Sequence, residues 1–137
     1  MILLLQYTLS FAAVLLIVAL GGCFSEHSGV LNIGLEGTMV IGALGGALTM
    51  KFLPVSAQPF MIVLSAVFTS MAAGMLFSML LAVASIHLYA DQTLVGMAMN
   101  MMGVAAATII VKAVNTAENS SNISSTIQYI DQKKAFV

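Results

Sequence analysis

The sequence predicts an all-α, polytopic helical membrane protein with about four transmembrane helices. Of its 137 residues, 61% are hydrophobic and 7% are charged, whereas an ordinary soluble domain has roughly 25% charged residues. The charged residues are also unevenly placed, and they separate uncharged runs that are long enough to cross a bilayer as helices. Composition and patterning together therefore favour a bundle of membrane helices over a soluble domain.

The first predicted span covers residues 2–24, an uncharged run that can cross a bilayer with some tilt. Within it, the segment Leu20–Cys23 reads LGGC, which also fits the processing site of a lipoprotein. We favour a retained span over a cleaved signal, because no Lys or Arg precedes the run. The run is also longer than the apolar region of a signal peptide, which has about 7–15 residues.

The second predicted span, 31–50, starts in a polar stretch. If this stretch is helical, Asn32 and Glu36 share a face, while Gly34 and Gly37 weaken the helix around them. The fourteen uncharged residues after Glu36 provide about 21 Å of helix, less than the hydrocarbon core of about 30 Å. The residues leave two interpretations open: a discontinuous helix that lines a transport route, or an ordinary loop followed by a short span.

Further along the second span, Gly42 and Gly46 have a spacing that lets another helix approach closely. Close contact matters in a bilayer because lipid tails leave no hydrophobic drive between helices. We therefore predict that these two glycines pack against a neighbouring helix. They do not form a phosphate-binding loop, since none of the four lysines follows a glycine. Lys51 ends the span.

The third predicted span is the long uncharged run 60–86, and the polar segment 87–91 turns it into a helical hairpin with the fourth. Met71, Met75 and Met79 lie at helical spacing on one stripe. One interpretation of this stripe is a transport route for a soft metal ion. The other is adaptable helix packing, which we favour because the eleven methionines are spread over the whole chain.

The fourth predicted span, 92–111, has a small, polar stripe. Gly96, Asn100 and Gly103 follow one another at intervals of four and three residues, so they share one face of a helix. At its depth in the span, Asn100 needs a hydrogen-bond partner. We predict a partner across a helix interface, with contact to a solute as the alternative.

The rest of the chain contains no pattern typical of catalysis or cofactor binding. Residues 113–137 are polar and rich in Ser and Asn, which predicts a loop or disordered tail. The net charge of -1 gives no reason to expect a nucleic-acid partner. Cys23 is the single cysteine, so neither an internal disulfide nor a cysteine metal cluster is expected. We predict no catalytic residue, no metal and no cofactor.

Two segments resemble a family of bacterial transport proteins. The sequence GGCFSEHSGVLNIGLEG at 21–37 and the sequence ADQTLVGMAMN at 90–100 are similar to successive signature segments of ABC importer permeases. The family is that of the branched-chain amino acid, simple sugar and nucleoside permeases, and the nearest resemblance is to the nucleoside and simple-sugar members. It extends from about residue 5 to residue 112, and it implies a partial ABC permease fold that covers the amino-terminal half of a family member.

The resemblance implies a permease subunit of an importer for nucleosides or simple sugars in the bacterial plasma membrane. The expected partners are a second permease subunit, ATP-binding subunits that hydrolyse the ATP, an extracytoplasmic substrate-binding protein and membrane lipid. Residues expected to line or hinge the solute path are Asn32, Gly34, Glu36, Gly37 and Asn100. Residues expected to pack helices are Gly42, Gly46, Gly96 and Gly103.

The resemblance does not extend to the half of the family that docks on the ATPases. We therefore expect the isolated chain to insert into membranes without ATP-dependent uptake, as a truncated or split permease or as a nonfunctional remnant. The alternative is a small membrane protein that binds or regulates another membrane protein through its Gly42/Gly46 and Gly96/Asn100 faces. An intramembrane enzyme that uses Glu36 and a histidine is disfavoured, because the sequence lacks a matching nucleophile or metal set.

Overall fold

The computed structural model describes residues 1–53 and 58–118, and these residues form a bundle of α-helices without strands. The predicted all-α class is therefore confirmed. In chain order the helices are α1 (Ile2–His27), α2 (Leu35–Phe52), α3 (Pro59–Ile86) and α4 (Gln92–Glu118). Among the described residues, three segments are long and apolar enough to cross a membrane: Ile2–His27, Phe60–Ile86 and Gln92–Ala117. They overlap the segments predicted as the first, third and fourth spans, and their crossing of the bilayer remains a prediction.

The second predicted span, 31–50, is replaced by the shorter helix α2. Its 18 residues correspond to about 27 Å, with Glu36 in its first turn and Lys51 in its last. Asn32 precedes the helix, so it does not share a helical face with Glu36. Gly29 has a φ of +83°, a conformation that favours glycine and interrupts a helix, so the chain does not continue from α1 into α2 as one helix. That α2 crosses the bilayer remains a prediction.

Helix α4 continues beyond its predicted end at residue 111, so that residues 113–118 are helical rather than part of a polar tail. A tertiary contact accounts for the extension. Asn115 is 1% exposed, and its Oδ1 accepts a hydrogen bond of 3.3 Å from Nζ of Lys51 on α2. Burial and this bond order a segment whose composition alone suggests a loop. The rest of the predicted tail lies outside the described residues.

Helix α2 is the centre of the bundle. It packs against α3 on one side and α4 on another, whereas α1 contacts α2 only lightly and has no buried residue. A small apolar core joins the helices where Phe77 and Leu81 of α3 meet Met99 of α4. A further link between α2 and α3 is the hydrogen bond of 2.7 Å from the Thr49 hydroxyl to the Thr69 hydroxyl.

Glycines set how closely the helices approach. A Cβ placed on Gly37 of α2 would lie 2.6 Å from the carbonyl oxygen of Met99, and one on Gly103 of α4 would lie 2.8 Å from Cα of Gly37. On the α3 side, a Cβ on Gly42 would lie 3.4 Å from the backbone oxygen of Ser70. The α2–α4 contact is the tighter of the two, because the shortest such distance on the α3 side is 2.9 Å, between a Cβ on Gly45 and the Cβ of Ala73.

We expect the substitution Gly37→Ala to destabilise the bundle by about 1–3 kcal/mol, the usual cost of overpacking. The obstacle is a backbone carbonyl, which cannot move aside by a change of rotamer. The matched control is Gly21→Ala in α1, where a Cβ meets nothing within 4 Å and the gain in helix propensity is similar. Unfolding by SDS in mixed micelles measures both variants. Equal stability of the two would contradict the close α2–α4 approach.

Candidate functional site

The candidate site is the non-helical segment 28–34, here called the α1–α2 link, together with the face of α4 that contacts it. Several hydrogen bonds tie the link to its surroundings. The Ser25 hydroxyl donates to the carbonyl of Val30 over 2.8 Å, and the Leu31 N–H donates to Oε1 of Gln92 on α4 over 2.8 Å. The link is therefore anchored to the end of α1 and to the start of α4.

The Asn100 side chain joins the α1–α2 link to the first turn of α2. Its Oδ1 accepts a hydrogen bond of 2.8 Å from the Gly37 N–H, and its Nδ2 donates one of 3.0 Å to the carbonyl of Ile33. The first N–H groups of a helix have no partner within it, and the N-cap residue, Gly34, provides no side-chain cap. Asn100 of α4 therefore caps α2 from a different helix.

Four glycines bring α4 close enough for this bond. A Cβ on Gly96 would lie 2.9 Å from Cβ of Ile33 and 3.0 Å from the Gly34 nitrogen. About two turns further along α4, Gly103 contacts the backbone of Gly37. The predicted stripe of Gly96, Asn100 and Gly103 thus faces the start of α2. Asn100 makes a helix-to-helix contact, and its part in a solute path remains a prediction.

Glu36 lies apart from this contact. It is exposed, although it directly precedes the buried Gly37 in the sequence. Successive helical positions are about 100° apart, so the side that carries Gly37 faces α4 while Glu36 points outward. Within the described ranges, its carboxylate has no hydrogen-bond partner. The structure therefore brings Asn32, Gly34, Gly37 and Asn100 into one region and places Glu36 on the outer side of the same turn, where a negative charge stabilises the helix start.

Asn32 lies at the edge of a cleft between α1, α2 and α3 that has a volume of about 520 Å³. Its Oδ1 is buried and has no hydrogen-bond partner in the part of the chain that the structure describes. The cleft is also lined by Thr38, Ser70 and Ser78. These three residues are not among the sequence-predicted site residues, since isolated hydroxyls in an apolar span give no periodic signal.

The comparisons with known proteins agree with the resemblance found in the sequence. Residues 4–137 match the family model described as branched-chain amino acid transport system / permease component. The chain belongs to this permease family. The family and the three apolar helices identify the permease chain as a membrane protein. No solved structure matches it significantly.

Three relatives of the permease chain are transport permeases by name. It is 48% identical over 110 residues to the guanosine ABC transporter permease protein NupQ of Bacillus subtilis, covering 78% of this chain and 33% of the relative. It is 39% identical over 97 residues to the nucleoside ABC transporter permease protein NupC of Lactococcus lactis, covering 69% and 29%. A shorter match, 56% identical over 43 residues, is to the putative glucose ABC transporter permease protein TsgC13 of Haloferax volcanii, covering 31% and 13%. The chain spans about a third of the length of the first two relatives.

We expect Asn100→Ala to loosen the start of α2. The substitution leaves the Gly37 N–H and the Ile33 carbonyl without the partner that they have now, at a cost of about 1–3 kcal/mol per unsatisfied buried group. Hydrogen exchange of the protein in lipid nanodiscs measures the effect, and the Gly37 amide should exchange faster. The Leu53 amide provides the internal control, because it donates to the Thr49 carbonyl over 3.0 Å at the other end of α2. Unchanged exchange at Gly37 would contradict the capping role.

Proposed function

We propose that this chain forms part of the solute path of an ABC importer for nucleosides or simple sugars. The observation that carries the proposal is the polar junction between the α1–α2 link, the start of α2 and Asn100. Irregular backbone at membrane depth is tolerated only where protein buries it or where it borders a water-filled cavity. The solutes named for the relatives, guanosine, nucleosides and glucose, support the solute class.

Each residue at the junction has a proposed part. The exposed Glu36 carboxylate provides acceptors for the hydroxyl donors of nucleosides and sugars, and the Asn32 Oδ1, which is buried in this structure, would provide a second acceptor after a movement of the α1–α2 link. A bond to a charged acceptor is about twice as strong as a neutral one, which makes Glu36 the stronger of the two contacts. Gly34 and Gly37 provide the hinge, because they lie where α2 begins and have no side chains in the contact with α4. Asn100 holds this hinge in place.

The proposed assembly contains a second permease subunit, ATP-binding subunits and an extracytoplasmic substrate-binding protein, in the bacterial plasma membrane. In it, the present chain is a multi-pass component and the ATP-binding subunits perform the hydrolysis. ATP binding and hydrolysis would rock the helices around the solute path and open it to each side of the membrane in turn. The exposed position of Glu36 suits this arrangement, because its outward side is then available to the space between permease subunits.

We expect Glu36→Gln to slow solute uptake by at least about tenfold in the assembled importer. A hydrogen bond to a charged group contributes about 1.5–3 kcal/mol, and each 1.4 kcal/mol corresponds to about a factor of ten. The measurement is the initial rate of tritiated guanosine uptake by cells without other nucleoside transporters, normalised to the amount of chain in the membrane. Labelled glucose is assayed in parallel.

The matched control is Glu26→Gln, which removes the carboxylate of another exposed glutamate, near the end of α1, outside the proposed path. Uptake by the control should equal that of the unmodified importer. Equal effects of the two substitutions would remove Glu36 from the solute path. Failure of the unmodified importer to take up nucleosides and sugars would overturn the proposed function as a whole.

A further inference from the structure

Side chains of α4 hold the α1–α2 link at two places. At the start of α4, Oε1 of Gln92 accepts a hydrogen bond of 2.8 Å from the Leu31 N–H. Further along α4, Asn100 donates to the Ile33 carbonyl. The Leu31–Gln92 bond is exposed, whereas the Asn100 bond is partly buried. Exposed hydrogen bonds are the first to open in a folded protein, so the link can separate from α4 at Gln92 while Asn100 still holds Ile33.

The start of α4 fixes the position of Gln92. The Thr93 N–H donates a hydrogen bond of 2.8 Å to Oδ1 of Asp91, and the Val95 N–H donates one of 3.0 Å to the Asp91 carbonyl. These bonds make Asp91 the N-cap of α4, and Gln92 is the first residue of the helix. Gln92 therefore belongs to a bonded helix start, whereas the segment that it holds is not helical.

The Oδ1 of Asn32 lies close to the contact between the link and α4. It is buried and has no hydrogen-bond partner in the part of the chain that the structure describes. A Cβ placed on Gly34 would lie 3.4 Å from this oxygen, and the same Cβ would lie 3.5 Å from the carbonyl oxygen of Gly96 and from Cβ of Met99 on α4. A movement of the link away from α4 would therefore uncover the Asn32 Oδ1.

Two opposing contributions act on the position of the link. The unpartnered Asn32 Oδ1 destabilises the closed position seen in this structure, because a buried acceptor has lost its bonds to water. The Leu31–Gln92 bond stabilises the closed position. A single hydrogen bond and a single unsatisfied group are of similar magnitude, so the two contributions nearly balance. Helix α1 contacts α2 only lightly, and it therefore offers little resistance to a movement of the link.

We propose that Gln92 is a positioning residue that holds the α1–α2 link closed over the Asn32 Oδ1. Release of the Leu31–Gln92 bond lets residues 28–32 move on the hinge at Gly34, and a solute hydroxyl can then donate to Asn32. This role rests on the proposed function and adds a residue that does not itself contact the solute. The apparent affinity for a solute depends on the fraction of the protein in the binding-competent state, so Gln92 sets that affinity through the position of the link.

The test compares Gln92→Met with the unmodified chain in the assembled importer, in lipid nanodiscs without ATP. The substitution removes the acceptor and keeps a side chain of similar length. Hydrogen exchange of the Leu31 amide should become faster by a factor of about 2–12, the range that corresponds to one neutral hydrogen bond. The Kd for tritiated guanosine should fall by the same factor, because both quantities depend on the open fraction. A bond with a merely structural role would change the exchange and leave the Kd unchanged.

Three further variants complete the test. Gln92→Glu keeps an acceptor oxygen, so the Leu31 amide should exchange no faster than in the unmodified chain. Asn32→Leu removes the unpartnered oxygen, so the closed position becomes more stable and the Leu31 amide should exchange more slowly. The matched control is Gln6→Met, the same substitution at an exposed glutamine of α1, and it should leave both the exchange and the Kd unchanged.

Two results for Gln92→Met would overturn the positioning role: unchanged exchange of the Leu31 amide, and faster exchange with an unchanged Kd. Faster exchange in Gln92→Glu or in Gln6→Met would overturn it as well. None of these results affects the proposed function, provided that the unmodified importer binds guanosine. An unmodified importer that binds neither guanosine nor labelled glucose would overturn the proposed function, and the positioning role with it.

Discussion

The fold depends on the two hydrogen bonds of the Asn100 side chain. A chain that stops and restarts a helix within an apolar environment exposes N–H and carbonyl groups that lipid cannot satisfy. The Asn100 side chain accepts a hydrogen bond from the Gly37 N–H and donates one to the Ile33 carbonyl. One side-chain amide therefore satisfies a backbone group in the α1–α2 link and another in the first turn of α2. It can do so only because glycines hold α4 against the start of α2.

This capping arrangement separates two roles on the first turn of α2. The side that carries Gly37 is committed to α4, because any side chain there would collide with the Met99 carbonyl. Glu36, one residue earlier, is exposed and is therefore available to water, a solute or another subunit. Helix packing and an exposed charge thus occupy different sides of a single turn. A change on one side need not disturb the other.

Hydrophobicity alone does not determine how membrane helices pack, because an apolar side chain is in a similar environment against lipid and against another helix. Shape complementarity and interhelical hydrogen bonds determine the packing instead. Helices α2, α3 and α4 meet where glycines and hydroxyls permit close contact, as at Gly42 and in the Thr49–Thr69 bond. Helix α1 has neither kind of contact with α3 and remains apart.

The sequence by itself determined the membrane class, the helical content and the family, because uncharged runs and signature segments are local properties. It also selected Gly96, Asn100 and Gly103 as one stripe, since helical spacing places them on one face. Only the tertiary structure decided where two of the helices begin and end. The start of α2 at Leu35 depends on Asn100, which is 63 residues from Gly37. The extension of α4 depends on a bond between Lys51 and Asn115, 64 residues apart. Hydropathy measures the length of an apolar run, whereas these ends depend on hydrogen-bond partners that come together only after the helices have packed.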